Sequence, residues 1–152
     1  DLKVICVRSF NHTGIYQSNV AVIPSFCQQV ADIDRNVKNK TIKTGNLNVY
    51  RDISDVRDVI EAYMTLLESN INSGVYNVCS GEGLLLRDIL SKIIGFSAAN
   101  IRVEIDPSRY REGEPVSIVG DNSKLISDTS WTRKYDISTT LREIYDYYRV
   151  GD

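Results

Sequence analysis

The sequence predicts an α/β fold, and three observations support that class. Residues 3–8 (KVICVR) and 75–79 (VYNVC) are rich in apolar and β-branched residues with little polar alternation, which is typical of strands covered on both faces of a parallel sheet. A polar loop follows each of these runs. Segments with apolar residues at helical spacing lie between and after them. This order of strands, loops and helices is that of an α/β domain.

The composition is that of one globular domain over residues 1–152, with 42% hydrophobic and 25% charged residues. The net charge is -2 and the basic residues are scattered, so we expect neither a nucleic-acid nor a membrane-surface partner. No apolar run approaches the roughly 20 residues that span a bilayer, and the start has no signal-peptide layout. We therefore expect a cytoplasmic protein. Because the chain starts at Asp1 and enters a strand at once, we also expect a piece of something longer.

The first part of the chain predicts a strand, a loop, a helix and a second strand. The loop at residues 9–17 lies at the carboxyl end of the first strand, where ligands bind in open α/β sheets. A helix is predicted over residues 20–33, with Pro24 in its first turns, and a short strand over 41–44. The predicted inward face of this helix consists of Val22, Ile23, Phe26, Val30 and Ile33.

The stretch 45–58 (GNLNVYRDISDVRD) is the centre of the predicted site. Gly45 and Asn46 suit a turn that needs positive φ, residues 47–50 an extended run, and Ser54 or Asp55 a helix cap. Arg51, held between these elements, can grip a phosphate or a base through its forked donors. The alternative is a structural ion pair between Arg51 and a nearby aspartate. The aspartates in question are Asp52, Asp55 and Asp58, and the predicted inward face of the helix is Val56, Val59, Ile60, Tyr63, Leu66 and Leu67.

The second part of the chain continues the α/β pattern. A loop at residues 80–83 follows the strand at 75–79, and a helix over 85–94 is closed by Gly95. Residues 101–105 alternate like a strand with one wet face and lead into a charged loop that begins at Asp106. Asp121 is predicted to cap a brief helix, and Ser138 or Thr139 to begin the last one. The predicted inward residues of that last helix are Leu141, Ile144, Tyr145 and Tyr148.

Several kinds of chemistry are excluded by the residues. Gly81 and Gly83 form only a GxG, so there is no dinucleotide-binding fingerprint, and no YxxxK segment is present. We therefore assign no catalytic residue. Three cysteines without a CxxC pair and a single histidine, His12, predict no metal site, and His12 itself is interpreted as a structural or turn residue.

The remaining candidates are polar side chains on loops. Two guanidiniums that approach one spot suit a diphosphate, and a carboxylate suits the two hydroxyls of a ribose. This pattern predicts a nucleotide-sugar site. Its candidate residues are Asn11, Gln17, Arg51, Arg109, Arg111 and Glu114.

The order of motifs resembles the carboxyl-terminal half of extended short-chain dehydrogenases. RSFNHTGIYQ, GNLNVYRDISDVRDVIEAY, GVYNVCSG, IRVEIDPSRYREGE and GDNSKL are most similar to the branch that contains GDP-mannose 4,6-dehydratases and GDP-6-deoxy-4-keto-mannose reductases. The chain departs from the family pattern in GIYQ for GPxQ, in REGE for RPxE or RPxD, and in TSW for TGW. The helix at residues 20–30 lacks the lysine of the dehydratases, which favours a reductase.

The resemblance implies that two halves of a longer chain have different roles. An amino-terminal Rossmann half, absent from this chain, would bind most of NADP(H) and carry the catalytic residues. Residues 3–8 and 75–79 would add two strands to its parallel sheet. Cofactor contacts are implied for Asn11 and His12. Substrate contacts are implied for Asn11, Gln17, Asn46, Arg51, Arg111 and Glu114.

The function expected from this resemblance is reduction of the 4-keto group of a GDP-6-deoxy-hexose by an NADP(H)-dependent parent enzyme. The alternatives are a dehydratase or epimerase that acts on nucleotide sugars, and a noncatalytic nucleotide-sugar-binding module that stands alone. We expect this fragment to be inactive by itself and the protein to be a homo-oligomer.

Overall fold

The computed structural model describes residues 2–36, 39–110 and 112–151. The helices are α1 (Val22–Asp34), α2 (Val56–Glu68), α3 (Leu86–Ile94), α4 (Ser123–Asp128) and α5 (Ile137–Val150), with a 3-10 turn at Pro107–Arg109. The strands are β1 (Ile5–Ser9), β2 (Asn11–Thr13), β3 (Thr41–Thr44), β4 (Tyr50–Arg51), β5 (Ile53–Asp55), β6 (Gly74–Val78), β7 (Leu84–Leu85), β8 (Arg102–Ile105) and β9 (Ser117–Ile118). The predicted α/β class is confirmed.

The strands form small sheets in which parallel pairing dominates. β1 pairs with β6, β2 with β5 and β3 with β8, all in parallel. β4 pairs with β7 in antiparallel and with β9 in parallel. The two strands that the sequence marked as buried are therefore direct neighbours, but only one face of their sheet is covered. Cys6 and Val75 are exposed on the other face, because no described element packs there.

Two hydrophobic clusters form the core between the helices and the sheets. The larger one lies between α1, α3 and α5 and includes Val30, Leu90 and Leu141. The smaller one lies where α2 packs on the β1–β6 sheet and includes Leu66 and Trp131. Because the site elements β3 and β4 adjoin the larger cluster, through Ile42 and Val49, their positions are fixed by a closely packed core.

The helix faces agree with the sequence prediction in α5 and differ from it in α1 and α2. Leu141, Ile144 and Tyr145 of α5 are buried and Tyr148 is half-buried. In α1 the predicted core residue Val22 is exposed, while the rest of the predicted face is buried. In α2 the buried residues are Asp58, Val59, Ala62 and Leu66, whereas Ile60, Tyr63 and Leu67 are exposed.

Aspartate side chains cap two of the helices, α2 and α5. Asp55 Oδ1 accepts a hydrogen bond from the backbone N–H of Arg57, which confirms Asp55 rather than Ser54 as the cap of α2. Asp136 caps α5, two or three residues before the predicted start at Ser138 or Thr139. The N-cap residue of α4 is Asn122 and not the predicted Asp121, although the Asp121 carboxylate accepts from the N–H of Ser123, the first residue of the helix.

Short strands account for the other differences between the predicted and the observed elements. β2 lies inside the predicted loop 9–17, and the predicted extended run 47–50 gives way to β4 and β5, two or three residues long. Such strands are too short for a period-2 pattern to show. Within the described part of the chain, no helix has both the length and the apolar character needed to cross a membrane.

Candidate functional site

A cleft of about 930 Å³ opens at the carboxyl end of β1. Four parts of the chain form most of its lining: residues 9–13 with Gln17, residues 20–23 and 25–26 at the start of α1, residues 44–47 with Arg51, and residues 108–110 with Glu114. Ile53 and Leu86 also line it. This is the position that the loop after the first strand predicted. A cleft of this size is in the range that holds a small organic ligand.

Arg51 is held rigidly at this cleft. Its side chain is nearly buried, and Nη1 donates to the backbone carbonyls of Tyr50 (2.8 Å) and Pro115 (2.9 Å). Nη2 donates to Glu114 Oε1 at 2.8 Å and forms an ion pair with it. Two of the five guanidinium N–H groups make no hydrogen bond with the described residues.

Glu114 and Asn46 complete a polar group around Arg51. The Asn46 amide nitrogen lies 3.5 Å from Glu114 Oε2, and Asn46 Oδ1 accepts from the N–H of Asn48. The carboxylate therefore contacts the guanidinium through one oxygen and the amide through the other. Together these side chains offer both donors and acceptors to a ligand.

The aspartates near Arg51 do not pair with it. Asp52 is fully buried and accepts from the N–H groups of Ser80, Gly81 and Gly120 and from the Ser80 hydroxyl. Asp58 is also fully buried and accepts from two N–H groups, those of Lys134 and Tyr135. Asp55 pairs with Arg57 and not with Arg51. The structural alternative for Arg51, an ion pair with one of these aspartates, is therefore wrong; its carboxylate partner is Glu114.

Asp55 instead ties α2 to α5. Its carboxylate accepts from the Arg57 guanidinium and from the Thr140 hydroxyl, and Arg57 also pairs with Glu143. Burial alone would raise the pKa of the Asp55 carboxyl, but the hydrogen bonds from Arg57 and Thr140 outweigh burial and lower this pKa. Asp55 thus carries a structural charge.

Three predicted residues of the β1–α1 segment also reach the cleft. Asn11 and His12 are exposed on β2, and the Asn11 side chain makes no hydrogen bond within the described residues. His12 Nδ1 lies 3.0 Å from the Phe10 carbonyl oxygen. Gln17 lines the cleft too, yet both ends of its amide are engaged inside the loop, with the Thr13 hydroxyl and the His12 carbonyl. Gln17 therefore shapes the loop.

Gly45 allows the close approach of two lining segments. A Cβ atom at this position would lie 2.8 Å from the backbone oxygen of Arg109. Neither Gly45 nor Asn46 has a positive φ, so the predicted reason for a glycine here is wrong, and lack of space is the actual one. Arg109 itself donates to the Lys43 carbonyl at 3.1 Å and lines the cleft.

Arg111, the other predicted phosphate ligand, lies outside the described residues. Lining residues that the sequence did not assign to the site include Ser108 and Tyr110, and also Ile23 and Phe26, which were predicted only as part of the inward face of α1. The Asp106-Pro107-Ser108 turn is a signal for the first two, since Asp106 accepts from the N–H and hydroxyl of Ser108 and fixes the loop. Among the residues that the structure describes, no group of histidines, cysteines and carboxylates is placed to hold a metal ion.

Comparisons with known proteins identify the family of this chain. The profile of the family described as GDP-mannose 4,6 dehydratase matches residues 1–144. The chain is 32% identical over 142 residues to GDP-6-deoxy-D-mannose reductase of Pseudomonas aeruginosa, which covers 93% of this chain and 47% of that protein. It is 26% identical over 143 residues to GDP-6-deoxy-D-talose 4-dehydrogenase of Aggregatibacter actinomycetemcomitans, with the same two coverages.

A solved structure is also similar to this chain. The structure of RMD from Pseudomonas aeruginosa complexed with NADPH superposes with a TM-score of 0.91 at 29% identity, over 97% of this chain and 49% of that one. The chain thus spans about half the length of the curated relatives it matches. The predicted resemblance is confirmed, and the chain belongs to the GDP-mannose 4,6 dehydratase family.

Proposed function

We propose that this chain is the nucleotide-sugar-binding half of an NADP(H)-dependent oxidoreductase that reduces the 4-keto group of a GDP-6-deoxy-hexose. The observation that carries the proposal is that Arg51, Glu114, Asn46 and Asn11 line one cleft. The similarity to a GDP-6-deoxy-D-mannose reductase over 93% of the chain supports the substrate class. The absence of a lysine from residues 20–30 favours reduction over dehydration.

The proposed roles follow from the chemistry of each group. Arg51 would bind the diphosphate with its two remaining N–H groups, because a guanidinium suits two phosphate oxygens. Glu114 would accept from ribose hydroxyls through the oxygen that faces Asn46. Asn11 would contact the sugar diphosphate from β2. Arg111 is a further proposed phosphate ligand on sequence grounds.

The cofactor would be bound mainly outside this chain. Asn11 and His12 are exposed at the cleft and fit a polar contact to the nicotinamide side of NADP(H), but the sequence holds no glycine-rich phosphate turn. When bound, the cofactor would supply a hydride to the 4-keto carbon. This chain's part would be to hold the substrate at the cleft, since its own residues include no YxxxK pair.

The β1–β6 sheet supports the existence of a missing half. It has two strands, and described residues cover only one of its faces. A parallel sheet is normally covered on both faces. We propose that an amino-terminal Rossmann half continues this sheet beside β1, and that without it the chain does not catalyse hydride transfer.

Oxidation of NADPH by the full-length polypeptide tests the proposal. With GDP-4-keto-6-deoxy-mannose as substrate we expect absorbance at 340 nm to fall, and we expect no change with the 152-residue chain alone. Water loss from GDP-mannose, or epimerisation, with the cofactor recovered in its original state would instead support the dehydratase or epimerase alternative. A gene that encodes only these 152 residues, with a product that is a stable monomer and binds GDP-sugars, would instead support a stand-alone binding module.

A further inference from the structure

β8 is an edge strand whose outer edge is available for pairing. Within the described residues it pairs only with β3, and all four of its residues are exposed. Exposed strand edges bind other strands readily unless something covers them. β8 belongs to the sheet next to the larger cluster, so its free edge is separate from that of the β1–β6 sheet.

The backbone of β8 presents its odd-numbered positions to this free edge. The N–H of Arg102 donates to the Lys40 carbonyl at 2.9 Å, and that of Asp106 donates to the Thr44 carbonyl at 2.7 Å. Alternate residues of a strand direct their N–H and C=O groups to opposite sides. Positions 102, 104 and 106 therefore face β3, whereas positions 101, 103 and 105 carry unused donors and acceptors outward.

The side chains of residues 101–105 (IRVEI) are complementary to their own reverse. An antiparallel second copy with Val103 opposite its own Val103 places Ile101 opposite Ile105 and Arg102 opposite Glu104. Val103 and Ile105, which are 37% and 48% exposed, lie on the same face as the buried residues Ile42 and Thr44. Apolar pairs would thus meet on the core side and opposite charges on the outer side.

Charge selects this register among those that the backbone allows. A shift by one residue would place the outward groups of one strand against inward groups of the other. A shift by two residues keeps the hydrogen bonds but places Arg102 against Arg102, or Glu104 against Glu104, which is unfavourable. In the Val103-centred register, each odd-numbered position exchanges both backbone hydrogen bonds with its partner.

We propose that β8 pairs in antiparallel with β8 of a second copy of this chain, in the Val103-centred register, to form a four-stranded sheet in the order β3–β8–β8–β3. This interface does not depend on the proposed function. Five facing residues bury much less than the about 1,600 Å² of a standard interface, so we expect a dimer that dissociates in the high-micromolar range.

Charge reversal tests the register by sedimentation velocity of the 152-residue chain from about 10 µM to about 1 mM. We expect Arg102→Glu and Glu104→Arg each to raise the dimer dissociation constant at least about tenfold, because each places like charges opposite one another. The double variant Arg102→Glu/Glu104→Arg should restore the wild-type constant. Arg102→Lys, which keeps the charge, is the matched control and should dimerise like the wild type.

A proline at position 103 provides a second test. The N–H of Val103 faces outward, so Val103→Pro removes a donor of the proposed interface and none from the β3–β8 ladder. We expect a monomer with an unchanged circular dichroism spectrum. A wild type that stays monomeric up to about 1 mM would overturn the proposal. Dimers whose dissociation constant is unchanged by the single charge reversals, such as dimers through the edge of β1, would also overturn it.

Discussion

Buried carboxylates set the geometry around Arg51. Asp52, Asp55 and Asp58 are each nearly or fully buried, and each receives several hydrogen bonds from backbone or side-chain donors. A buried carboxylate is tolerable only when its oxygens are satisfied in this way. Asp52, next to Arg51, joins the loops at Ser80 and Gly120 to β4, and so fixes the backbone from which the guanidinium projects.

Replacement of Asp55 by alanine should lower the free energy of unfolding by about 3 kcal/mol at pH 7, because it removes the α2 cap and the bonds to Arg57 and Thr140. Asp146→Ala, which removes an exposed partner of Arg142, should change it by no more than about 0.5 kcal/mol. Urea unfolding monitored by circular dichroism measures both. Equal effects of the two substitutions would contradict the structural role of Asp55.

The lowered pKa of the Asp55 carboxyl predicts that the free energy of unfolding depends on pH. Its pKa is lower in the folded state than in the unfolded chain, where it is about 3.9. Its contribution to stability is therefore complete above that value and is lost as pH falls through the folded-state pKa. We expect the difference in unfolding free energy between the wild type and Asp55→Asn to shrink from pH 6 towards about pH 3. A difference that grows on acidification would contradict this assignment.

The cysteines should differ in reactivity. Cys6 is exposed, whereas burial raises the pKa of the Cys27 thiol to about 12 and that of Cys79 to about 11. Because the thiolate is the reactive form, Ellman's reagent at neutral pH should modify Cys6 alone in the native chain and all the cysteines in urea. Cys6→Ser should abolish the native reaction. Reaction of Cys27 or Cys79 without unfolding would contradict the described burial.

At the scale of single residues, Arg51, Glu114, Asn46 and Asn11 all line the cleft. The substrate contacts that the motifs imply for them stay a prediction. The hydrogen bonds of these side chains could not be predicted, because they depend on contacts between distant parts of the chain. The Arg51–Glu114 pair spans 63 positions, and the engagement of Gln17 within its own loop depends on the path of β2.

Among the elements, α2 shows most clearly how periodicity can mislead. Its sequence carries a wide apolar stripe, but the structure buries only the side with Val59, Ala62 and Leu66. Ile60, Tyr63, Met64 and Leu67 form an exposed apolar stripe at helical spacing. Periodicity detects both sides of such a helix and cannot tell which partner covers each. An exposed apolar stripe is typical of a surface that another part of a protein covers.

Two adjacent leucines test this division of α2. Leu66 is 2% exposed and Leu67 is 76% exposed. Leu66→Ala should lower the unfolding free energy of the chain by about 3 kcal/mol, and Leu67→Ala should change it by no more than about 0.5 kcal/mol. In a full-length polypeptide with the proposed Rossmann half, Leu67→Ala should become clearly destabilising. A neutral Leu67→Ala in that protein would count against a covering partner.

At the scale of the whole molecule, the cleft arises from segments held by packing in several places. β3 and α1 belong to the larger cluster, and Arg51 projects from β4 beside it. The α/β class and the position of the cleft after β1 could be predicted, since they depend on local patterns and on the direction of parallel strands. The division into small sheets could not, because two-residue strands such as β4, β7 and β9 are defined only by their partners.

Binding of GDP-mannose to the 152-residue chain, measured by isothermal titration calorimetry, tests the central claim that this cleft holds a nucleotide sugar through Arg51. We expect saturable one-to-one binding without cofactor, and a dissociation constant at least about tenfold higher for Arg51→Lys, which keeps the charge but loses the fork. Arg142→Lys, outside the cleft, should bind like the wild type. No binding by the wild type, or equal affinity of wild type and Arg51→Lys, would contradict the account.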